Sequence, residues 1–335
     1  MNQKIAVLGA LNNIGREVLQ ILSERQHPFA SAFALDTERT AGATVSYGDE
    51  NELDVQDAGS FDFTTVDIVI STLGADEAVK RLPQIADDGS LVIDLSGAFR
   101  ADSDVPVSVP EVTGAVAAPK NIITCPDSVS TLLSLVLKPL HDAAKVTRVV
   151  AATYQSVSSL GREAMDELFA QTRSVYVNDP VQKEQFAKQI AFNVIPQTAP
   201  FREDGTTESE FTVAVELKKL IDPKLKLAIT TAFVPAFLSQ GIAATIEFQD
   251  DMDGDTARKL LRTAPGISVI DLRGDEGFVT LVEASGEDRV YVSRVRDDAT
   301  TDNGVSLWIV GDNMRKGSAL NAVQIAESWA KRQVH

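Results

Sequence analysis

The stretch KIAVLGALNNIG, residues 4–15, constrains what this chain can fold into more than any other. An apolar run leads straight into Gly9, a second glycine stands at Gly15, and Val18, Leu19 and Leu22 then recur at helical spacing. That order reads as strand, tight turn and helix. The run has no polar alternation, which suits a strand covered on both faces. Similar runs follow at residues 66–72, 90–96 and 121–124, with helical stretches between them. Alternation of this kind predicts an α/β, Rossmann-like doubly wound parallel sheet.

From residue 128 the rhythm changes. Val129, Leu132, Leu133, Val136 and Leu140 predict a buried helix over 128–142, capped by Asp127 or Ser128. Longer runs at 148–155, 230–238, 242–248, 289–296 and 305–313 predict a mixed or antiparallel sheet, and 318–333 reads as an amphipathic helix. A chain of 335 residues exceeds what one ordinary core organises. The expected division is therefore residues 1–127 plus 315–335 as the dinucleotide-binding type of domain, and 128–314 as an α+β domain. No internal repeat or low-complexity linker interrupts it.

Charge narrows the partners. The formal net charge of −17 opposes nucleic acid and anionic membrane surfaces. A phosphate-bearing ligand must be drawn by local arginines and backbone N–H groups. A single cysteine excludes an intrachain disulfide and a cysteine-based zinc site, and no metal is expected. The first residues lack the basic flank and cleavage site of a signal peptide, and no apolar run approaches the roughly 20 residues that span a bilayer. The expected setting is the cytoplasm.

Candidate binding residues cluster in two stretches. Gly9, Leu11, Asn12, Asn13, Ile14 and Gly15 form a GxxGxxG turn whose middle place is held by asparagine. Glycine there lets the backbone approach a pyrophosphate. Asparagine tolerates left-handed backbone angles, yet its side chain is expected to crowd the phosphate. Two such glycines alone read first as a tight strand-to-helix turn with no ligand. In DTERTAG, residues 36–42, Arg39 with Thr40 suits a ribose 2′-phosphate, because guanidinium grips phosphate with paired hydrogen bonds, although the residues alone read first as an ordinary solvated loop.

Groups for covalent chemistry are scarce. His27 and His335 read as solvated. His141 lies near the far end of the helix that starts at Ser128, roughly 20 Å away at 1.5 Å per residue. Cys125, at an apolar strand end, reads as a small buried hydrophobe.

Several longer blocks resemble the aspartate-semialdehyde dehydrogenase family along nearly the whole chain. They include TERTAG, VIDLSGAFRADSDVPVSVPEV (92–112), LKPLHDAA (137–144), TYQSVSSLGREAMDEL (153–168), QIAFNVIPQ (189–197) and NGVSLWIVGDNMRKGSALNAVQIAE (303–327). The resemblance implies a homodimer and NADP-dependent interconversion of an acyl phosphate and a semialdehyde in amino-acid biosynthesis. In that chemistry a cysteine thiolate forms an acyl-thioester, a histidine moves protons, and an arginine clamps the substrate carboxylate. On the matching positions the nucleophile's place carries Ser128, the histidine's Gln240 and the clamp's Phe233, while Leu238 replaces a further arginine. Glu210 is kept, but the lysine after it has become Thr212. Arg39 and Thr40 match the 2′-phosphate reader, Arg100 the substrate-phosphate arginine and Gln155 the substrate glutamine. Ser158 and Asn313 fall on the cofactor side. Leu11 and Asn12 alter the family's nucleotide turn. The Pro-Asp-Ser at the nucleophile position resembles the Usg-type paralogues.

Three readings stay open at this point. One is a dimeric, catalytically degenerate member that binds NADP or a related small anion. Another is an oxidoreductase acting on a different aldehyde or oxo group. The third is a regulatory subunit of an active paralogue.

Overall fold

The computed structural model describes residues 3–25 and 29–332. His27 and His335 lie outside the described residues. The chain divides into two compact units, Met1–Asp127 with Ser318–His335, and Ser128–Gly317.

The first unit begins with β1 (Lys4–Leu8), α1 (Asn13–Glu24) and β2 (Ser31–Asp36), followed by the strands β3 (Thr44–Tyr47) and β4 (Asn51–Asp57). It continues through β5 (Ile68–Ser71), α2 (Ala75–Asp87), β6 (Leu91–Asp94), the short α3 (Pro110–Thr113) and β7 (Ile122–Thr124). The sheet order is β3-β4-β2-β1-β5-β6-β7, parallel throughout except for the antiparallel β3–β4 pair. Successive side chains of a strand point to opposite faces. Accordingly Ile5, Val7, Ile68, Ile70, Leu91 and Ile93 join one core, while Ala6, Leu8, Val69 and Val92 join another. The first core is capped by Val18, Leu19, Ile21 and Leu22 of α1, the second by Ala78, Leu82 and Ile85 of α2. This is why the runs lack alternation: both faces are covered.

The sequence order of the strands reverses direction between β1 and β5, the place where doubly wound sheets open a crevice at their carboxyl ends. Gly9 turns there with φ +86°, and a Cβ on Gly15 would fall 2.2 Å from the Gly9 carbonyl oxygen. The helix therefore sits hard against the turn.

The second unit opens with α4 (Ser128–Ala144), buried along most of its length, and β8 (Val146–Gln155). Then come α5 (Arg162–Val177), α6 (Glu208–Leu220), β9 (Lys226–Phe233), β10 (Gln240–Phe248), α7 (Gly254–Thr263), β11 (Ile267–Val269), α8 (Leu281–Ala284), β12 (Val290–Asp297) and β13 (Gly304–Gly311). The sheet order is β11-β12-β13-β10-β8-β9, parallel at β11–β12 and β8–β9 and antiparallel elsewhere. A mixed sheet results. The run at 230–238 does not stay extended throughout: β9 stops at Phe233, just before Pro235, which has no N–H for a ladder. After this unit the chain returns to the first as α9 (Leu320–Arg332), whose Glu327 takes a bidentate pair from Arg25, with bonds of 2.6 and 2.8 Å.

At the carboxyl end of β6, Asp94 is fully buried. Its Oδ1 accepts from the Ser96 N–H at 2.8 Å and the Ser96 hydroxyl at 2.5 Å, while Oδ2 has no partner. Burial pushes the carboxyl's pKa up, against the Ser96 hydrogen bonds and the attraction of Arg100. A raised native value means that folding favours the protonated form. The stabilising contribution is full below the ordinary value of about 3.9 and is lost as pH rises through the raised one. Asp94→Asn should therefore shrink the stability difference between pH 4.5 and pH 7, measured by urea unfolding. An unchanged difference would show that Asp94 titrates normally in the native protein.

Candidate active site

Gln155 ends β8 and Gln240 opens β10, and the two are paired in the ladder. Directly opposed residues of antiparallel strands present their side chains on one face. Ser128, the first residue of α4, donates from Oγ to Gln240 Oε1 at 3.2 Å. Gln240 is only 1% exposed, and its Nε2 has no hydrogen-bond partner. The preceding Ser239 is buried, has φ +66° and also leaves its Oγ unbonded. A left-handed backbone at a non-glycine residue costs about 1 kcal/mol or more, so strain and an unclaimed amide adjoin in sequence. Close approach is also built in, since a Cβ on Gly317 would meet Ser128 Cβ at 2.8 Å.

Gln155 and Asn313, two further expected site residues, are neutral as well. Gln155 Nε2 donates to Thr153 Oγ1 at 3.3 Å. Asn313 Oδ1 accepts from Ser158 Oγ at 3.2 Å and from Ser156 Oγ at 3.4 Å, and all three side chains are buried. Among the described residues, Gln240 is the only side chain hydrogen-bonded to Ser128. His141 sits near the other end of α4, where its Nε2 lies 3.8 Å from Asp222 Oδ2. Burial and the nearby Lys145 hold its pKa below the usual histidine range.

Two expected substrate residues have structural duties. Phe233 is 3% exposed and makes an edge contact with Phe186, at 5.5 Å between ring centroids, within a cluster with Val157, Leu168 and Ile190. Nothing cationic stands in its place, while Leu238 nearby is half-buried. Glu210 closes a capping box on α6: its Oε2 accepts the Thr207 N–H at 2.7 Å, and Thr207 Oγ accepts the Glu210 N–H at 3.3 Å. Its Oε1 takes the Thr231 N–H at 2.9 Å. Both carboxylate oxygens are thereby engaged in holding α6 and β9. Thr212 is buried in α6.

In the first unit, the turn differs from expectation at Asn12. Its backbone is extended, at φ −75° and ψ 168°, because Gly9 alone takes the left-handed angle. The Asn12 side chain folds onto the turn: Oδ1 caps the Gly15 N–H at 2.8 Å, and Nδ2 donates to Thr72 Oγ1 at 2.8 Å and Thr72 O at 3.0 Å. It thus takes one of the helix N-terminal donors. The N–H groups of Asn13 and Ile14 have no partner among the described residues. Leu11 packs on the core, and its N–H donates to Asp36 Oδ2 at 3.1 Å. Arg39 is exposed and bonded to nothing among the described residues. Thr40 Oγ has two acceptors within hydrogen-bond reach, Thr37 O at 2.9 Å and Asp36 Oδ1 at 3.3 Å. Arg100 is half-buried in the segment after β6. Cys125 is 3% exposed in the core, where its Sγ accepts from Asn321 Nδ2 at 3.8 Å.

Thr72, Ser156, Ser239 and Asp36 shape these sites and were not singled out from the sequence. Asp36 stood within the quoted loop, and Thr72 at the end of an apolar run at the crevice. Ser239 and Ser156 carried no signal of their own. Among the described residues there is no group of three or more metal-binding side chains, and no helix is long and apolar enough to cross a membrane.

Comparison with known proteins agrees with this anatomy. Residues 4–118 match the family model described as semialdehyde dehydrogenase, NAD binding domain, and residues 137–316 match semialdehyde dehydrogenase, dimerisation domain. The aspartate-semialdehyde dehydrogenase of Rickettsia conorii is 42% identical over 329 residues, covering 96% of each chain. That of Rickettsia bellii is 40% identical over 330 residues, covering 98% of this chain and 97% of its own. The crystal structure of aspartate semialdehyde dehydrogenase II from Vibrio cholerae, complexed with ASA, superposes with a TM-score of 0.94 at 35% identity over 99% of both chains. With its dimerisation-domain match spanning more than half its length and relatives aligned over nearly all of it, this chain belongs to the aspartate-semialdehyde dehydrogenase family.

Proposed function

We propose that this chain is a Usg-type paralogue, a pseudoenzyme that binds small molecules reversibly and does not run its family's acyl-thioester chemistry. The observation that carries this reading is the Ser128–Gln240 pair. A hydroxyl nucleophile near neutrality needs a base beside it. Here the bonded group is an amide, which does not take up a proton usefully near pH 7. The carboxylate clamp is replaced by Phe233, held in an apolar cluster.

What the pair can do is hold an oxygen atom. Gln240 Nε2 has unclaimed protons, and the amino end of a long helix favours negative charge, so a ligand carbonyl or carboxylate fits this chemistry. Neither Ser128 nor Gln240 titrates near neutrality, so such binding is independent of pH there. Arg100 is the residue of the first unit suited to an anion.

The first unit retains what a nicotinamide dinucleotide needs. The N–H groups of Asn13 and Ile14 suit the pyrophosphate, and the loop from Asp36 to Thr40 suits the adenosine ribose. When bound, the cofactor supplies a hydride donor or acceptor. The NADP expectation rests on Arg39 and Thr40. Arg39 is free for it, whereas Thr37 O and Asp36 Oδ1 both lie within reach of the single hydroxyl proton of Thr40. The homodimer is assigned to the open face of the second unit's sheet, where Val150 and Tyr154 are exposed and Tyr154 meets Trp308 at 5.6 Å between ring centroids. Any role in amino-acid biosynthesis is then exerted by binding and not by turnover.

A second reading, an oxidoreductase on an uncharged aldehyde or ketone, is favoured by the apolar Phe233 and by the free N–H groups at α1. Purified protein should show no phosphate-dependent reduction of NAD or NADP with aspartate semialdehyde, read at the nicotinamide absorbance. Phosphate-dependent turnover that disappears in Ser128→Ala overturns the proposal, while turnover of uncharged carbonyl compounds that survives it favours the second reading. The binding role makes a separate claim on stability, because a buried amide without a partner costs about 1–3 kcal/mol. Because Gln240 Oε1 also accepts the Ser128 hydroxyl, both partners must be replaced together, and the double variant Ser128→Ala, Gln240→Met should stabilise the ligand-free protein by about 1 kcal/mol in urea unfolding. A loss of that size would contradict an amide donor left unused.

A further inference from the structure

We propose that Asp36, and not Arg39, decides which nicotinamide dinucleotide this chain takes, and that it selects NAD, with its free ribose 2′-hydroxyl, over NADP. This rests on the reading that the first unit binds such a dinucleotide.

In a doubly wound sheet the adenosine ribose is read by a side chain at the carboxyl end of the second strand, beside the glycine turn. Asp36 is the last residue of β2. Its carboxylate reaches back to the turn itself, where Oδ2 accepts the Leu11 N–H at 3.1 Å. The Thr37 N–H holds Oδ1 at 2.8 Å. Two backbone donors on two different segments therefore fix this side chain in place.

Each carboxylate oxygen offers two acceptor directions. Oδ2 has one protein donor and keeps room for a second, which a ribose hydroxyl can supply. A 2′-phosphate brings negative charge and acceptor oxygens to a carboxylate that is also only an acceptor. Thr40 does little to relieve this, since Thr37 O at 2.9 Å and Asp36 Oδ1 at 3.3 Å already compete for its one proton. The neighbouring strand deepens the negative potential: Asp57 is the ladder partner of Asp36 at the end of β4. Exposed Glu38 adds to it from the same loop. Against these carboxylates stands Arg39, which is exposed, so that screening weakens its pull on a phosphate. The count of fixed groups favours a neutral diol over a dianion, reversing the expectation drawn from Arg39 and Thr40 alone.

The test is isothermal titration of the full chain with NAD and with NADP. The wild-type protein should bind NAD at least about tenfold more tightly, a difference of about 1.4 kcal/mol. In Asp36→Ser the ratio should fall below about threefold or invert, and the near-isosteric Asp36→Asn guards against a folding artefact, with circular dichroism checking both variants. Arg39→Ala should leave the preference for NAD in place. Tighter binding of NADP by the wild type, or a ratio that neither Asp36 variant moves, overturns the proposal alone. Failure of both nucleotides to bind overturns it together with the reading on which it rests.

Discussion

The hydrogen bond from Ser128 Oγ to Gln240 Oε1 joins a hydroxyl to an amide, and neither can trade a proton near neutrality. Much of the second unit is arranged around it. The buried α4 delivers Ser128 at its amino end, and the β8–β10 ladder delivers Gln240 opposite Gln155. Gly317 admits Ser128 at close range. Unlike a thiolate and imidazole in the same places, this pair has no reactive charge state to stabilise. It leaves instead a buried amide with unused donors beside a strained serine, an arrangement that protein stability alone does not reward.

The first unit tells a parallel story with a different balance. Asn12 holds the middle place of the turn, and the turn closes because the asparagine oxygen caps Gly15 and its amide reaches Thr72. The side chain thus consumes one donor of the helix terminus and leaves those of Asn13 and Ile14. Two backbone donors of that terminus therefore stay without protein partners among the described residues. In both units the polar side chain at the expected site is bonded into its surroundings, Ser128 to Gln240 and Asn12 to Gly15 and Thr72.

Much of this was legible from residue pattern. The uninterrupted apolar runs marked β1, β5, β6 and β7 because those strands are covered on both faces, and the helical spacing of Val129 through Leu140 marked α4. The β3–β4 pair was not legible: NELDVQD is mostly polar, and in the two strands only Val45 and Val55 are buried. Pro235 shortened a strand that its apolar neighbours had extended. Glu210 also carried a local signal, since Thr207 and Glu210 stand at capping-box spacing. Asp36 was passed over because its weight comes from Leu11, a residue far away in sequence that only the folded sheet brings near.

The central claim is that the native protein forms no covalent bond to an acyl group. The most direct measurement is intact-mass spectrometry after incubation with an acyl phosphate of aspartate, followed by peptide mapping of residues 121–145. The account predicts an unmodified mass and an unmodified Ser128. An acyl adduct on Ser128 would contradict it.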